Sequence, residues 1–225
     1  MIPVNKLRKM KELCIKNCKK CQGAGCEVCT AKSMRFSRYS SSNIPIDYWN
    51  GSYKDFIGDS RFKAAMRSYV KDIDMMYENG DSLALIGGFG TGKTYMASCI
   101  LKLAIIKGYS SLYCHMSDMI QDSIDNRSSF FEQVGNVDFL CIDEFDSRWV
   151  FPSENSEQLF GQTMERVFRH RFQNRMPTIV CSNTHDLKSV LSGRFSSSTE
   201  SLFSQFVAQL YVGGKDLRKD SLVEK

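Results

Sequence analysis

The sequence predicts an α/β fold, a parallel sheet flanked by helices, from three observations. A short apolar run, Leu83-Ala84-Leu85-Ile86, opens directly into the glycine-rich stretch Gly87-Gly88-Phe89-Gly90-Thr91-Gly92-Lys93-Thr94, and Tyr95 to Lys107 then follows a helical pattern. Two more mostly apolar runs end on polar tips: Val137 to Ile142 before Asp143-Glu144, and Pro177 to Cys181 before Ser182-Asn183. The segments between carry apolar residues three and four apart, so strands alternate with helices, as in a parallel sheet with helical crossovers. The chain of 225 residues, 42% hydrophobic and 24% charged, has room for one ordinary domain and an appendage. No stretch approaches ~18 uninterrupted apolar residues, which excludes a membrane-spanning helix. Lys6, Arg8, Lys9 and Lys11 have no apolar run behind them, so the start is not a secretory signal. A cytoplasmic protein with no membrane partner is expected.

The head of the chain is distinct. Residues 1–40 hold ten Lys/Arg against Glu12 and Glu27, a net +8, whereas residues 41–225 carry −3 of the overall +5. Such asymmetry suits either a head that meets an acidic partner, protein or nucleic acid, or a solvated basic helix. Five of nine cysteines also lie here. Cys18, Cys21, Cys26 and Cys29 read C-x2-C-x4-C-x2-C, a spacing that turns four sulfurs toward one point and suits a closed structural Zn²⁺ site. Gly23 and Gly25 permit the reversal between the two turns. Cys21, Cys26 and Cys29 also fit part of a plant-type iron–sulfur pattern, but Cys18 completes the compact zinc set. Cys14 reads as a bystander; Cys99, Cys114, Cys141 and Cys181 sit singly in apolar runs as small buried hydrophobes. A closed four-cysteine site has no open coordination position, so it should fold a binding module rather than catalyse.

Ser33 to Asn43 contains five serines and reads as a polar hinge, which sets the division at residues 1–40 for the zinc module and 41–225 for the body. Phe62, Met66, Val70, Ile73 and Met76 then predict a helix over about 59–77.

Residues 87–94 match G-x-x-x-x-G-K-S/T between a strand and a helix, the context a phosphate-binding loop requires. Its glycines allow successive backbone N–H groups to face phosphate oxygens, and the helix start adds a favourable dipole. Lys93 reaches the β- and γ-phosphates and Thr94 supplies a hydroxyl to Mg²⁺; ATP with Mg²⁺ is the expected ligand, cradled by residues 87–94 with Tyr95. Ser111 to His115 predicts a second strand, with Ser117 as N-cap of a helix through Ile124. The strand ending in Asp143-Glu144, about 50 residues on, supplies a carboxylate for the Mg²⁺ shell (Asp143) and a base for the attacking water (Glu144). That neighbouring Glu favours hydrolysis over transfer to a small acceptor, and so counts against a small-molecule kinase. A helix over Ser156 to Phe172 and a strand over 177–183 follow, with Asn183 placed to orient water.

The order of phosphate loop, Asp-Glu strand and Ser-Asn strand resembles AAA+ ATPases, and more narrowly the DnaC/DnaI-type helicase loaders with their transposition relative IstB. The resemblance covers about residues 43–218. Asn43-Ile44-Pro45 with Tyr48 is similar to the family's entry segment near the adenine; Arg171 is similar to the arginine before its Pro-Thr strand; Gly214-Lys215-Asp216-Leu217-Arg218 is similar to its closing G-x-S-x-R, with Asp for Ser, which makes Arg218 the sensor-2 arginine. Only 42 residues follow Asn183, too few for the helical lid of most AAA+ proteins. One departure stands out: Thr199 to Leu210, where the family carries a trans-acting arginine finger, has no Arg or Lys. Arg194 is the nearest candidate and Arg171 the second. The resemblance implies an ATPase that loads a replicative hexameric helicase of the DnaB type onto single-stranded DNA, with self-assembly through the ATPase domain and a zinc head that recruits the helicase. Small size and the unusual head suit a phage-encoded protein. An IstB-like transposition helper, and a DNA-binding adaptor that binds ATP with little turnover, are the rival readings.

Overall fold

The computed structural model describes residues 3–125, 128–146, 151, 153–192 and 195–220. Helices α1 (Val4–Lys16) and α2 (Glu27–Ser41) pack on each other across the cysteine loop. Short 3-10 turns at Ile46–Tyr48 and Tyr53–Asp55 lead to α3 (Ser60–Lys71) and α4 (Ile73–Asn79). Then come β1 (Ser82–Ile86), α5 (Lys93–Lys107), β2 (Ser111–His115), α6 (Met116–Ile124), α7 (Ser128–Asn136), β3 (Phe139–Asp143), α8 (Glu154–Gln173) and β4 (Thr178–Ser182). The described chain closes with α9 (Lys188–Leu191), α10 (Ser197–Phe206), β5 (Val207–Tyr211) and α11 (Leu217–Asp220). No described helix is long and apolar enough to cross a membrane.

The five strands form one parallel sheet in the order β2-β3-β4-β1-β5. Residues of β1 to β4 are buried on both faces, which is why those segments read as continuous apolar runs rather than alternating ones. Alternation instead sorts them between two layers. Leu83, Leu85, Tyr113, Phe139, Cys141, Ile179 and Cys181 face α5 and the N-terminal helices. Ala84, Ile86, Leu112, Leu140, Ile142 and Val180 face α6, α8 and α10. The edge strand β5 is half exposed and has no comparable apolar run; it pairs with β1 from Ser82↔Val207 to Ile86↔Tyr211. Cys99, Cys114, Cys141 and Cys181 are buried, as small hydrophobes are.

Three local expectations change. The helix expected over 59–77 breaks at Asp72, whose backbone (φ −114°, ψ 37°) leaves the helical region between α3 and α4. Helix α6 begins at Met116 rather than after Ser117: its N-cap is His115, two residues earlier, whose N–H donates to the Asp118 carboxylate at the third helical position at 3.4 Å. Most consequentially, the serine-rich stretch is not a hinge. It is the second half of α2, and the division placed at residue 40 falls inside that helix. Its serines hid two aromatic residues with core spacing: Phe36 and Tyr39 are 3% and 5% exposed, with ring centroids 5.1 and 6.0 Å from that of Trp49, itself held by its indole N–H on Ile44 O at 2.9 Å. Leu7, Met10 and Cys14 of α1 reach the same cluster. The head is therefore joined to the body's core. Phe36→Ala should cost about 3–5 kcal/mol of folding free energy, the usual penalty for emptying a buried aromatic site, read as a lowered denaturant midpoint at unchanged slope.

Candidate functional site

β1 lies between the central strand β4 and the edge strand β5, and its carboxyl end is on the edge of the sheet where a crevice for ligands is expected in open α/β sheets. Here the chain leaves β1 through Gly87, at φ +141°, with backbone so close that a Cβ would lie 2.3 Å from Val212 O. Only glycine fits. A Cβ on Gly90 (φ +70°) would strike the Asp216 carboxylate. The segment after β5 is thus laid along the loop, tied by Val212 N–H to Ile86 O at 2.7 Å and Leu217 N–H to Gly90 O at 3.0 Å. Lys93, 6% exposed, donates from Nζ to Gly87 O at 3.0 Å and Gly88 O at 2.6 Å. Burial pulls its pKa below the ordinary lysine value, against the raising effect of the nearby Cys181 and Asp143.

The acidic strand tip meets the loop directly. Thr94 Oγ1 donates to Asp143 Oδ2 at 2.8 Å, and the Glu144 N–H donates to Asp143 Oδ1 at 2.8 Å. Glu144 holds a left-handed backbone, φ +55°, unfavourable for a residue with a Cβ and the kind of strain found where a side chain must be aimed. Lys93, Thr94, Asp143, Glu144, Asn183 and Arg218 all line one cleft of 420 Å³, together with the apolar side chains Tyr48, Phe56, Ile57, Phe89, Tyr95 and Leu217. Backbone N–H groups, a lysine, a hydroxyl–carboxylate pair and an aromatic wall are what a nucleoside triphosphate with Mg²⁺ would need. A larger groove of 760 Å³ lies between α6, α7 and α8, but its wall mixes Asp122 and Glu132 with Arg166 and no phosphate-cradling loop borders it.

Arg171 does not belong to this site. It is 0% exposed, and its guanidinium donates to Val134 O, Val137 O, Pro177 O and Thr178 Oγ1 at 2.7–2.9 Å. Those partners lie at the amino ends of β3 and β4, the edge of the sheet opposite the phosphate loop. Arg171 is a clamp that satisfies buried carbonyls, and its fully buried guanidinium is spent on partners within the chain. Arg194, the other candidate finger, lies outside the described residues. Arg218 bonds Asp216 Oδ1 from Nε at 3.3 Å on the cleft wall.

Two residues of the site were not singled out in the sequence. Lys102, on the otherwise apolar α5, is 5% exposed and donates to Tyr48 O and Gly51 O, which pins the Tyr48 segment against the helix. Burial lowers its pKa. Its signal was a lone lysine between Leu101 and Leu103 in a helix too apolar to have a polar face. Tyr113 of β2 donates from Oη to Asp143 Oδ2 at 2.6 Å, and nothing in its local pattern separates it from a core aromatic.

At the head, the sulfurs of Cys18, Cys21, Cys26 and Cys29 all lie within 4.8 Å of one another, with Cys18–Cys26, Cys21–Cys29 and Cys26–Cys29 each at 3.8 Å. Four thiolates at the Zn–S bond length of about 2.3 Å on tetrahedral corners are separated by about 3.8 Å. An iron–sulfur cluster spreads its four cysteines over two or more irons, so sulfurs on different irons lie further apart than the mutual 4.8 Å limit seen here. Cys26 is the N-cap of α2, and the Cys29 backbone N–H pulls its thiol down to about 7, chiefly against desolvation. The donor set fits Zn²⁺. Cys14 is not part of it.

No protein-family model matches the chain, and no curated protein matches it by sequence. Solved structures match by fold. The DnaC helicase loader superposes with a TM-score of 0.60 at 20% identity, over 75% of this chain and 100% of that one. DnaI gives 0.59 at 20% identity, over 76% and 93%. The replication initiator DnaA bound to AMPPCP and single-stranded DNA gives 0.60 at 18%, over 80% of this chain and 56% of DnaA. The chain therefore shares the parallel α/β fold of these helicase-loader and replication-initiator structures.

Proposed function

We propose that this chain is an ATPase that loads a replicative hexameric helicase of the DnaB type onto single-stranded DNA, acting in the cytoplasm. The observation that carries the ATPase half is the Thr94–Asp143 contact beside Lys93, which brings the phosphate loop and the acidic strand tip into one cleft. Mg²⁺·ATP, when bound, supplies the phosphoryl group and the cation that neutralises its charge. Lys93 exchanges loop carbonyls for phosphate oxygens. Thr94 and Asp143 would hold the metal's shell, Glu144 would take the proton of the attacking water, Asn183 would orient that water, and Arg218 would read the phosphate state from the C-terminal segment. The lack of Arg and Lys from Thr199 to Leu210 favours slow turnover by the isolated chain, a nucleotide switch that speeds up only in an assembly.

The loading half is supported by the fold shared with DnaC and by the head. A zinc-folded module of net charge +8 presents exposed Val4, Val28 and Met34 beside its lysines, a surface suited to an acidic protein partner. Because α2 enters the core, removing residues 1–40 would damage the ATPase as well, so surface substitutions are the right probe. Met34→Glu with Val28→Glu should abolish co-purification with the replicative helicase while leaving ATP binding intact. Retention of the helicase would sink the recruiting role, and capture of a transposase in its place would move the reading to an IstB-like helper. Binding to single-stranded DNA should weaken with salt, as phosphate contacts do.

A further inference from the structure

Asp143 receives an unusual number of donors, and one comes from a strand that the nucleotide chemistry does not require. β2 is an edge strand whose register sets His115 beside Asp143 and Tyr113 beside Cys141. Tyr113 lies two residues short of the strand tip, so its ring runs up the sheet face toward Asp143. It is 3% exposed, and Oη lies 2.6 Å from Asp143 Oδ2. That same oxygen accepts from Thr94 Oγ1 at 2.8 Å, while Oδ1 accepts the Glu144 N–H at 2.8 Å. A carboxylate offers about two acceptor directions per oxygen. Oδ2 is therefore filled, and Oδ1 keeps one direction for a water of a metal shell. Burial first, and the charge of Asp143 second, push the phenol well above its ordinary pKa, so it stays a donor. The placement of Tyr113 is itself fixed: its N–H donates to Ser42 O at 2.9 Å, the residue that caps α2, and its ring edge meets His115 at 5.3 Å.

We propose that Tyr113 is a positioning residue for the magnesium site: its buried hydroxyl fixes the plane of the Asp143 carboxylate and leaves one oxygen, Oδ1, to accept from a metal-bound water. The proposal rests on the reading of the cleft as a Mg²⁺·ATP site. It also means that the end of the cysteine-bearing helix, through Ser42, sets the residue that sets the metal ligand.

The test is Mg²⁺ dependence of nucleotide binding by the full-length protein, read with a fluorescent ATP analogue. Tyr113→Phe keeps the ring and the backbone bond to Ser42 and removes only the donor. Its matched control is Tyr69→Phe, which removes an equally buried hydroxyl, bonded to Asp81 O at 2.8 Å, at the far end of the sheet. Loss of an outer-shell partner typically costs about 10- to 100-fold in metal affinity, so Tyr113→Phe should raise the half-saturating Mg²⁺ concentration by about tenfold or more. Nucleotide binding without metal should stay at the wild-type level, and Tyr69→Phe should leave both quantities unchanged. An unchanged or lowered Mg²⁺ requirement in Tyr113→Phe, with the wild type showing Mg²⁺-dependent binding, overturns the inference alone. A wild-type protein whose nucleotide binding ignores Mg²⁺, or is absent, overturns the reading of the cleft and this inference with it.

Discussion

Glu144→Gln is expected to lower ATP turnover by about 10²- to 10⁴-fold, the range in which a positioned general base contributes, and to leave ATP bound. The amide keeps the size of the side chain but cannot take a proton from water. The left-handed backbone at Glu144, held by its N–H on Asp143 Oδ1, depends on the main chain and survives the substitution. Lys93→Ala is the complementary variant. It removes charge-assisted hydrogen bonds worth about 1.5–3 kcal/mol to the phosphates, which is about 10- to 150-fold in nucleotide affinity. The pair separates two meanings of inactivity: Glu144→Gln should be trapped with nucleotide and partner bound, Lys93→Ala should bind neither tightly. Equal nucleotide affinity of Lys93→Ala and wild type, by calorimetry, would refute the cleft as a triphosphate site.

Stripping metal from the head should have the second largest effect. Structural Zn²⁺ in small modules contributes about 10–16 kcal/mol of apparent binding free energy near neutral pH, far more than the loop between α1 and α2 can supply from its own few contacts. Elemental analysis should find one zinc per chain. A strong chelator should release it and expose four thiols to a thiol reagent, while Cys99, Cys114, Cys141 and Cys181 stay buried. The consequence should be graded along α2. Its amino end, bearing Cys26 and Cys29, loses its anchor, whereas its carboxyl end remains held by Phe36 and Tyr39 against Trp49. The metal-free protein should thus keep nucleotide binding and lose its partner. A chelated protein that keeps its partner would show that the head folds, or docks, without metal.

How much was legible in the sequence depended on how local the cause was. The glycine-rich loop is a local object: β1 feeds it, its glycines permit the backbone path, and Lys93 and Thr94 follow at the helix start, so the whole pattern lies within a dozen residues. The strand over Ser111 to His115 is likewise readable, because burial on both faces favours the apolar stretch Leu112-Tyr113-Cys114 at its centre. The serine-rich stretch reads as a hinge and folds as helix for an equally physical reason. Serines are common in linkers, but Ser33, Ser37 and Ser41 also sit at helical spacing, and only the packing of Phe36 and Tyr39 on Trp49 says which reading holds. Arg171 shows the limit of resemblance. An arginine in the right place along the chain became a buried clamp, because the carbonyls of Val134, Val137 and Pro177 needed donors that only the folded edge of the sheet brings together.

What the chain determined by itself was the four buried strands β1 to β4, the glycine-rich loop and the four-cysteine spacing, since each is encoded by neighbours within a few bonds or by the one-dimensional rhythm of burial; the half-exposed edge strand β5 has no such rhythm. What only the tertiary structure decided was which distant residues meet: that Tyr113 and Thr94 converge on Asp143, that Lys102 holds the segment of Tyr48, and that the cysteine-bearing head is fastened to the core of the body. The hydrogen-bonded partners among them are 30 to 54 residues apart. Separation of that kind leaves no trace in local pattern, because a hydrogen bond depends on where two strands lie side by side and not on how far apart they are along the chain.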